Sequence, residues 1–452
     1  MSESVKETKA KPTVMSGFPE WLPEIKILEN QILQIIRTNY ELFGFVPIET
    51  PAVERIETLT SKGGNEKEIY SLSRLAAEEG ADPTTEFALH FDLTVPLARY
   101  VAQHYSGLVF PFRRYQIQKV WRGERPQSGR FREFYQCDID VIGDGELSLM
   151  TDAEIPSIIF RIFKKMKIGH FVIRINNRKI LQGLFLHYGL KDKEIISVMR
   201  IIDKLEKIGT KRVFEEIKSI TSMPDEKINE LIDFISMEYT NNDILAKLEL
   251  MKFNDLFIQG AQELISVFRA VKALGVPDEY LAIDIRIARG LDYYTGTIYE
   301  TVLLDYPGIG SICSGGRYDN LASHFTDKKL PGVGISIGIT RLLSRLIEAK
   351  ILQPESATVA DVLVTVMDEK KLSDYLALAT TLREEGINTE VYLETSPFKA
   401  QMKYANRKKF KYVIIAGEDE FAKNCFIVKN MITGDQKIGK IPEVIEIIKQ
   451  NK

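Results

Sequence analysis

The first residues able to do chemistry together lie on a polar-faced hairpin. The run PFRRYQIQKVWRGE, the polar turn RPQSGR and the run FREFYQCDIDVIG read as two antiparallel strands within residues 109–143. Side chains along a strand alternate faces with a period of two. Gln116, Gln118, Arg122 and Glu124 therefore share one face of the first strand. Gln136, Asp138 and Asp140 share one face of the second, with Tyr135, Cys137, Ile139 and Val141 on the other. A wet face on a one-sided sheet would also alternate like this. The residue types argue for more, because Arg, Gln and Asp stand where a solvent face would carry Lys, Glu and Thr. Arg130 and Arg132, near the turn, add guanidinium forks suited to phosphate.

Three further strings carry polar or glycine-rich chemistry. IARGLDYYTGTIYE brings Arg289, Gly290, Asp292, Tyr293 and Tyr294, and SICSGGRYDNL brings Gly315, Gly316, Arg317 and Tyr318. Paired glycines beside aromatics suggest backbone lying close to a ligand, or a tight turn over two core tyrosines. FDLTVPLARY places Asp92, Leu93 and Thr94 before a helical pattern, where Asp92 could equally cap the turn. GVGISIGITRLLSRL (332–346) has the spacing GxGxxxG, which departs from the GxGxxG of a dinucleotide loop.

These strings, in this order, resemble the histidyl-tRNA synthetase family of class II aminoacyl-tRNA synthetases. RYQIQKVWRGERPQSGRFREFYQCDIDVIG is similar to motif 2 in its histidine-specific form, and RGLDYYTG with GGRYD to the two blocks that set this family apart. GVGISIGITRLLSRL resembles motif 3 and VPIETPAV, with Pro51, resembles motif 1, a dimer element. The resemblance implies catalytic roles for Arg122 and Arg289 on the ATP α-phosphate, with Arg122 also on the amino-acid carboxylate. It implies ATP contacts from Glu124, Arg130 and Arg341, the last stacking on adenine. It implies a histidine pocket of Asp92, Leu93, Thr94, Arg122, Gln136, Asp140, Arg289, Tyr293 and Tyr294, with Asp140 facing the imidazole. His90 stands where relatives commonly have Arg. By the same resemblance the substrates are L-histidine, ATP and tRNA(His), Mg²⁺ accompanies ATP, and the enzyme is a cytoplasmic homodimer.

The elements that must hold these residues follow from periodicity. Apolar positions at helical spacing (Ile25, Leu28, Ile32, Ile35, Ile36) predict a helix over 20–45, stopped by Gly44. FVPIETPAV is extended because Pro47 and Pro51 forbid helix. FVIRIN (171–176), YLAIDIRI (280–287) and TIYETVLL (297–304) read as strands, and about 186–270 as an inserted helical domain. A linker falls near 351–360, after which DVLVTVM, NTEVYL and KYVIIAG alternate with helical runs. The fold class is thus α/β (α+β): an antiparallel-sheet catalytic domain over 18–350 with a helical insertion, and a C-terminal α/β domain over 358–452 that resembles the anticodon-binding domain. FKAQMKYANRKKFKYVII crowds Lys399, Lys403, Arg407, Lys408, Lys409 and Lys411 with no acid between them, which is either a tRNA-binding face or an ordinary solvated one.

Composition sets outer bounds. The chain has 452 residues, 44% hydrophobic, enough for two or three cores. A net charge of −3 gives no global basic field, so RNA contact must be local. Three cysteines, far apart, fit neither a disulfide framework nor a CxxC metal site and suit a reducing compartment. No run approaches the roughly 20 apolar residues of a membrane span. Residues 1–17 lack a signal-peptide core and read as a disordered tail. Two alternatives stay open here. One is a catalytically silent paralogue that binds histidine to regulate its biosynthesis; the other is a non-enzymatic tRNA-sensing module.

Overall fold

The computed structural model describes residues 11–61, 66–73, 86–125, 129–236, 239–288, 290 and 294–450. The chain divides into two compact units, one of Leu33–Leu352 with the residues before Glu20, the other of Gln353–Lys452 with Glu20–Ile32.

The first unit is built on a sheet of eight strands: β1 (Val46–Pro47), β2 (Phe112–Trp121), β3 (Glu133–Ile142), β4 (Phe171–Asn177), β5 (Leu281–Ile283), β6 (Thr297–Leu303), β7 (Ser311–Tyr318) and β8 (Gly332–Gly338). Their order in the sheet is β1-β2-β3-β8-β7-β6-β4-β5. The six central strands run antiparallel, while β1 and β5 join at the edges in parallel. One face is covered by apolar helices. Ile155, Ile158, Ile159, Ile162 and Phe163 of the helix Thr151–Met166 are wholly buried, as are Phe257, Leu264 and Val267 of Asp255–Ala273. The helix Leu205–Ile220 and its neighbours Asp192–Ile202, Asp225–Ser236 and Asn241–Leu250 occupy the stretch between β4 and β5.

Two expectations shift in detail. YLAIDIRI gives a strand of three residues only, because the Asp284 carboxylate turns back onto Arg286 at 2.8 Å and closes a turn. Gly17, expected in a loose tail, accepts the backbone N–H of Arg132 at 2.7 Å and is tied to the hairpin.

In the second unit, β9 (Val362–Val364), β10 (Thr389–Val391), β11 (Tyr412–Ile415), β12 (Phe426–Asn430) and β13 (Gln436–Gly439) lie in the order β10-β9-β11-β12-β13. The first three are parallel and the last two add on antiparallel. Helices Leu372–Glu384 and Ile441–Lys449 bury Tyr375, Leu378, Leu382, Val444 and Ile448 against Val362, Val364, Ile414 and Val428.

Candidate active site

The polar face of the hairpin is not wet. Arg114, Gln116, Asp138 and Asp140 are 0, 1, 3 and 5% exposed, and Gln136 is 8% exposed. Register explains how they meet. Gln116 pairs with Asp138, Asp138 with Ser336, Ser336 with Ser314, Ser314 with Glu300 and Glu300 with Arg174, a polar row crossing six strands. The neighbouring row runs Arg114, Asp140, Gly334, Gly316. The glycines there make room. A Cβ on Gly334 would lie 2.2 Å from Asp140 Oδ1, and one on Gly316 2.9 Å from the Tyr294 ring.

A buried charge must be paired or its pKa moves. Arg114 Nη2 lies 2.5 Å from Asp140 Oδ2, and the Tyr318 hydroxyl donates to Asp140 Oδ1 at 2.8 Å. Burial still raises the Asp140 carboxyl above its usual range, against the pull of Arg114 and Tyr318. Burial also lifts Asp138, to about 7, against the pull of Arg114 and the Ser336 hydroxyl and reinforced by the charges of Asp140 and Asp92. Ser336 accepts from Gln136 Nε2 at 2.7 Å, which leaves its own proton for Asp138. Asp138 Oδ1 and Gln136 Oε1 are buried without a hydrogen-bond partner. Burial also raises the Tyr294 hydroxyl, helped by the nearby carboxylates of Asp140, Asp138 and Asp92.

A cleft of about 340 Å³ opens beside this row, its wall formed by Arg122, Arg130, Gln136, Ser314, Ser336 and Arg341. Arg122 donates through Nε to Phe91 O at 3.0 Å, and its guanidinium lies 5.1 Å over the Phe134 ring. Glu124 lines the same cleft and pairs with the exposed Arg130 at 3.3 Å. Arg341 enters from the first turn of Ile339–Glu348 and donates to Ile309 O at 3.1 Å. Three guanidiniums facing one concavity suit a polyphosphate.

Other expected residues take specific places. Asp92 accepts the Val95 N–H at 3.1 Å, capping the helix Thr94–His104, while its charge still reaches Asp138, Asp140 and Tyr294. The Leu93 side chain is fully buried, so only its backbone is available to a ligand. His90 is fully buried, its Nε2 2.7 Å from Lys119 O and its ring 5.5 Å from Trp121, and burial pushes its pKa down. A neutral imidazole there ties the loop to β2. Arg289 and Tyr293 lie outside the described residues. Arg317 of GGRYD faces away from the cleft into a buried ion pair, its Nη2 2.7 Å from Asp152 Oδ1.

Sequence reasoning did not single out Arg114, although its alternation with Gln116 and Gln118 signalled the same face. Ser314 and Ser336 carried no signal of their own. In the second unit, Lys399, Lys403 and Arg407 stand exposed at a spacing of four on Phe398–Lys408. Lys408 departs from the expected basic face: its Nζ pairs with Glu390 Oε2 at 2.9 Å and contacts Tyr404, an acid distant in sequence but adjacent in space.

An arginine-lined cleft on a largely antiparallel sheet, joined to a small α/β unit, defines a class II aminoacyl-tRNA synthetase. The family model "Histidyl-tRNA synthetase" matches residues 17–342, and "Anticodon binding domain" matches 361–451. The chain is 50% identical over 450 residues to the histidine–tRNA ligase of Clostridium tetani, covering 98% of this chain and all of that one. The crystal structure of histidyl-tRNA synthetase from Nostoc superposes with a TM-score of 0.91 at 44% identity, covering 98% of this chain and all of the other. A structure from Bacillus halodurans described as an ATP phosphoribosyltransferase regulatory subunit/histidyl-tRNA synthetase shares the fold alone, at 20% identity and a TM-score of 0.72, over 87% of this chain and 97% of that one. This chain belongs to the histidyl-tRNA synthetase family and is therefore an ATP-dependent ligase of aminoacyl-tRNA synthesis. Among the described residues, no helix is long and apolar enough to cross a membrane.

Proposed function

We propose that this chain activates L-histidine with ATP and transfers it to the 3′ end of tRNA(His), with the cleft beside the polar row as its active site. The histidine carboxylate attacks the ATP α-phosphorus and pyrophosphate leaves. A hydroxyl of the tRNA 3′-terminal ribose then attacks the carbonyl of the adenylate and AMP leaves. The observation that carries this reading is the junction of two environments in one place: three arginines around an open cleft, and the buried polar row beside it that reaches its wall through Gln136 and Ser336.

In this reading Arg122 and Arg289 face the charge that grows on the α-phosphate, where preorganised donors act most strongly. Glu124, Arg130 and Arg341 hold the rest of ATP. Asp92 and Thr94 receive the substrate ammonium beside the Leu93 backbone, Gln136, Tyr293 and Tyr294 line the histidine pocket, and Asp140 faces the ring. A Mg²⁺ ion accompanying ATP would offset the charge of the pyrophosphate that leaves. Among the described residues there is no cluster of three metal-ligating side chains. A phosphate-borne Mg²⁺ needs only one or two carboxylates, and Glu124 in the cleft wall fits that need. Lys399, Lys403 and Arg407 meet tRNA phosphates, Lys408 supporting them from its pair with Glu390. The enzyme works as a cytoplasmic homodimer. Replacing Arg122 by Ala should lower histidine-dependent ATP–pyrophosphate exchange by ~10²–10³, and an unchanged rate in a folded variant would refute the assignment.

A further inference from the structure

We propose that Arg178 is a positioning residue for the activation step: its guanidinium holds the carbonyl of Gly290 and so fixes the backbone from which Arg289 acts on the α-phosphate. This deepens the reading above and rests on it, because it takes Arg289 to have that role.

Arg178 opens the helix Arg178–His187, directly after β4. A cation is disfavoured at that position, because the N-terminal end of a helix carries partial positive charge. Lys179 follows it, and the first turn holds no acid to compensate. Both side chains instead make contacts away from their own helix. Lys179 Nζ pairs with Glu263 of the helix Asp255–Ala273. Arg178 is 6% exposed, and its Nη1 donates to Gly290 O at 2.8 Å.

That carbonyl has a second donor, the Tyr294 N–H at 3.0 Å. Gly290 therefore closes the turn that brings Tyr294 back. Its φ of +63° suits glycine, and a Cβ there would lie 2.1 Å from the Tyr294 ring. Arg289 precedes it in the chain. The peptide unit holds consecutive Cα atoms about 3.8 Å apart, so whatever fixes Gly290 also fixes where the Arg289 side chain begins.

The neighbours of Arg178 hold the two limbs that lead to this point. The fully buried Asn176 amide donates to Ile285 O at 3.1 Å and to Ile287 O at 2.9 Å on the entering limb. The Arg178 backbone N–H donates to Gly296 O at 2.9 Å on the leaving limb. Asn177, between them, accepts the Lys179 N–H at 3.0 Å and donates to Glu263 Oε2 at 2.8 Å. Three consecutive residues thus grip the chain at Ile285 and Ile287, at Gly290 and at Gly296, and are themselves anchored on Glu263. Asn176 and the backbone secure the limbs, and the guanidinium secures the carbonyl beside Arg289. A donor aimed at charge that grows in the transition state works only when it is held in place, and a displacement of about 1 Å can cost ~10²-fold.

The test is a double-mutant cycle on the full-length enzyme, read by histidine-dependent ATP–pyrophosphate exchange at saturating histidine and ATP. Arg178→Met should lower the rate by ~10²-fold. Arg178→Lys, which keeps a cationic donor, should recover part of that loss, and Arg178→Gln serves if the Met variant does not fold. In an Arg289→Ala background, already slowed by ~10²–10³, Arg178→Met should lower the rate no further, because residues that act as a unit are not additive. An arginine that only stabilised the fold would lower the rate by the same factor in both backgrounds. That result would overturn the proposal, and so would a folded Arg178→Met enzyme with the wild-type rate. Normal exchange by Arg289→Ala, or no histidine-dependent exchange by the wild type, would overturn the functional reading beneath the proposal and the proposal with it, and the first two members of the cycle distinguish these cases.

Discussion

Asp138 makes the most specific stability prediction. An unfolded Asp carboxyl titrates near 3.9, whereas burial holds Asp138 at about 7 in the fold. Between those values the native protein keeps a proton that the unfolded chain has lost. The unfolded state then binds fewer protons, so stability falls as pH rises from about 4 to about 7, and the full penalty applies above that. Each tenfold in proton affinity is about 1.4 kcal/mol, which puts the penalty on the order of a few kcal/mol. Asp138→Asn removes it. The ligand-free variant should therefore be more stable than wild type at about pH 8, with the difference shrinking steadily as pH falls and vanishing near about pH 4. The chain has two tryptophans, Trp21 and Trp121, and Trp121 ends β2 of the catalytic sheet. In a Trp21→Phe background, urea unfolding followed by fluorescence reads that sheet alone. Unfolding midpoints that stay parallel for the two proteins across this pH range would refute the reasoning, and with it the picture of Asp138 as a buried and incompletely paired acid.

Three further outcomes follow from other parts of the chain. Arg289→Ala should lose ~10²–10³ in pyrophosphate exchange with the melting temperature unchanged; normal exchange would remove its proposed role. Arg317→Met strands the fully buried Asp152 and should cost about 3–5 kcal/mol of stability, seen as a lower unfolding midpoint, with KM for both small substrates unchanged when assayed in the cold. Neutralising Lys399, Lys403 and Arg407 together should flatten the log–log salt dependence of tRNA binding by roughly 0.7–0.9 per lost phosphate contact, whereas Lys408→Ala alone should move the slope less, because Glu390 already takes part of its charge.

The sheet was legible in the sequence where alternation was strong. PFRRYQIQKVW and FREFYQCDIDVI announce two strands with one polar face, and the structure pairs them in that register. Alternation could not say that this face is buried. Burial comes from β8 and β7, whose glycines let neighbouring strands and the Tyr294 and Tyr318 rings approach, and that depends on pairings hundreds of residues apart. For the same reason Arg114 was passed over: its meaning lies in Asp140 across the hairpin. YLAIDIRI looked like a longer strand because Ile283, Ile285 and Ile287 alternate along it, yet a local Asp284–Arg286 pair ends it early. β12 and β13 went unread, since short mixed polar runs carry little periodic signal. GGRYD drew attention as a site, but its arginine is committed to Asp152, and only three-dimensional contact separates a ligand-facing guanidinium from a structural one. Lys408 teaches the same lesson with the opposite charge, because the acid that claims it, Glu390, lies 18 residues upstream.

The most direct test of the account is amino-acid-dependent ATP–pyrophosphate exchange by the purified full chain, run with each standard amino acid in turn and followed by charging of tRNA(His). The account predicts exchange with histidine alone, and transfer of the activated histidine to that tRNA. Histidine binding without exchange would contradict it, and would mark the chain as a sensor of histidine that had kept the fold and lost the chemistry.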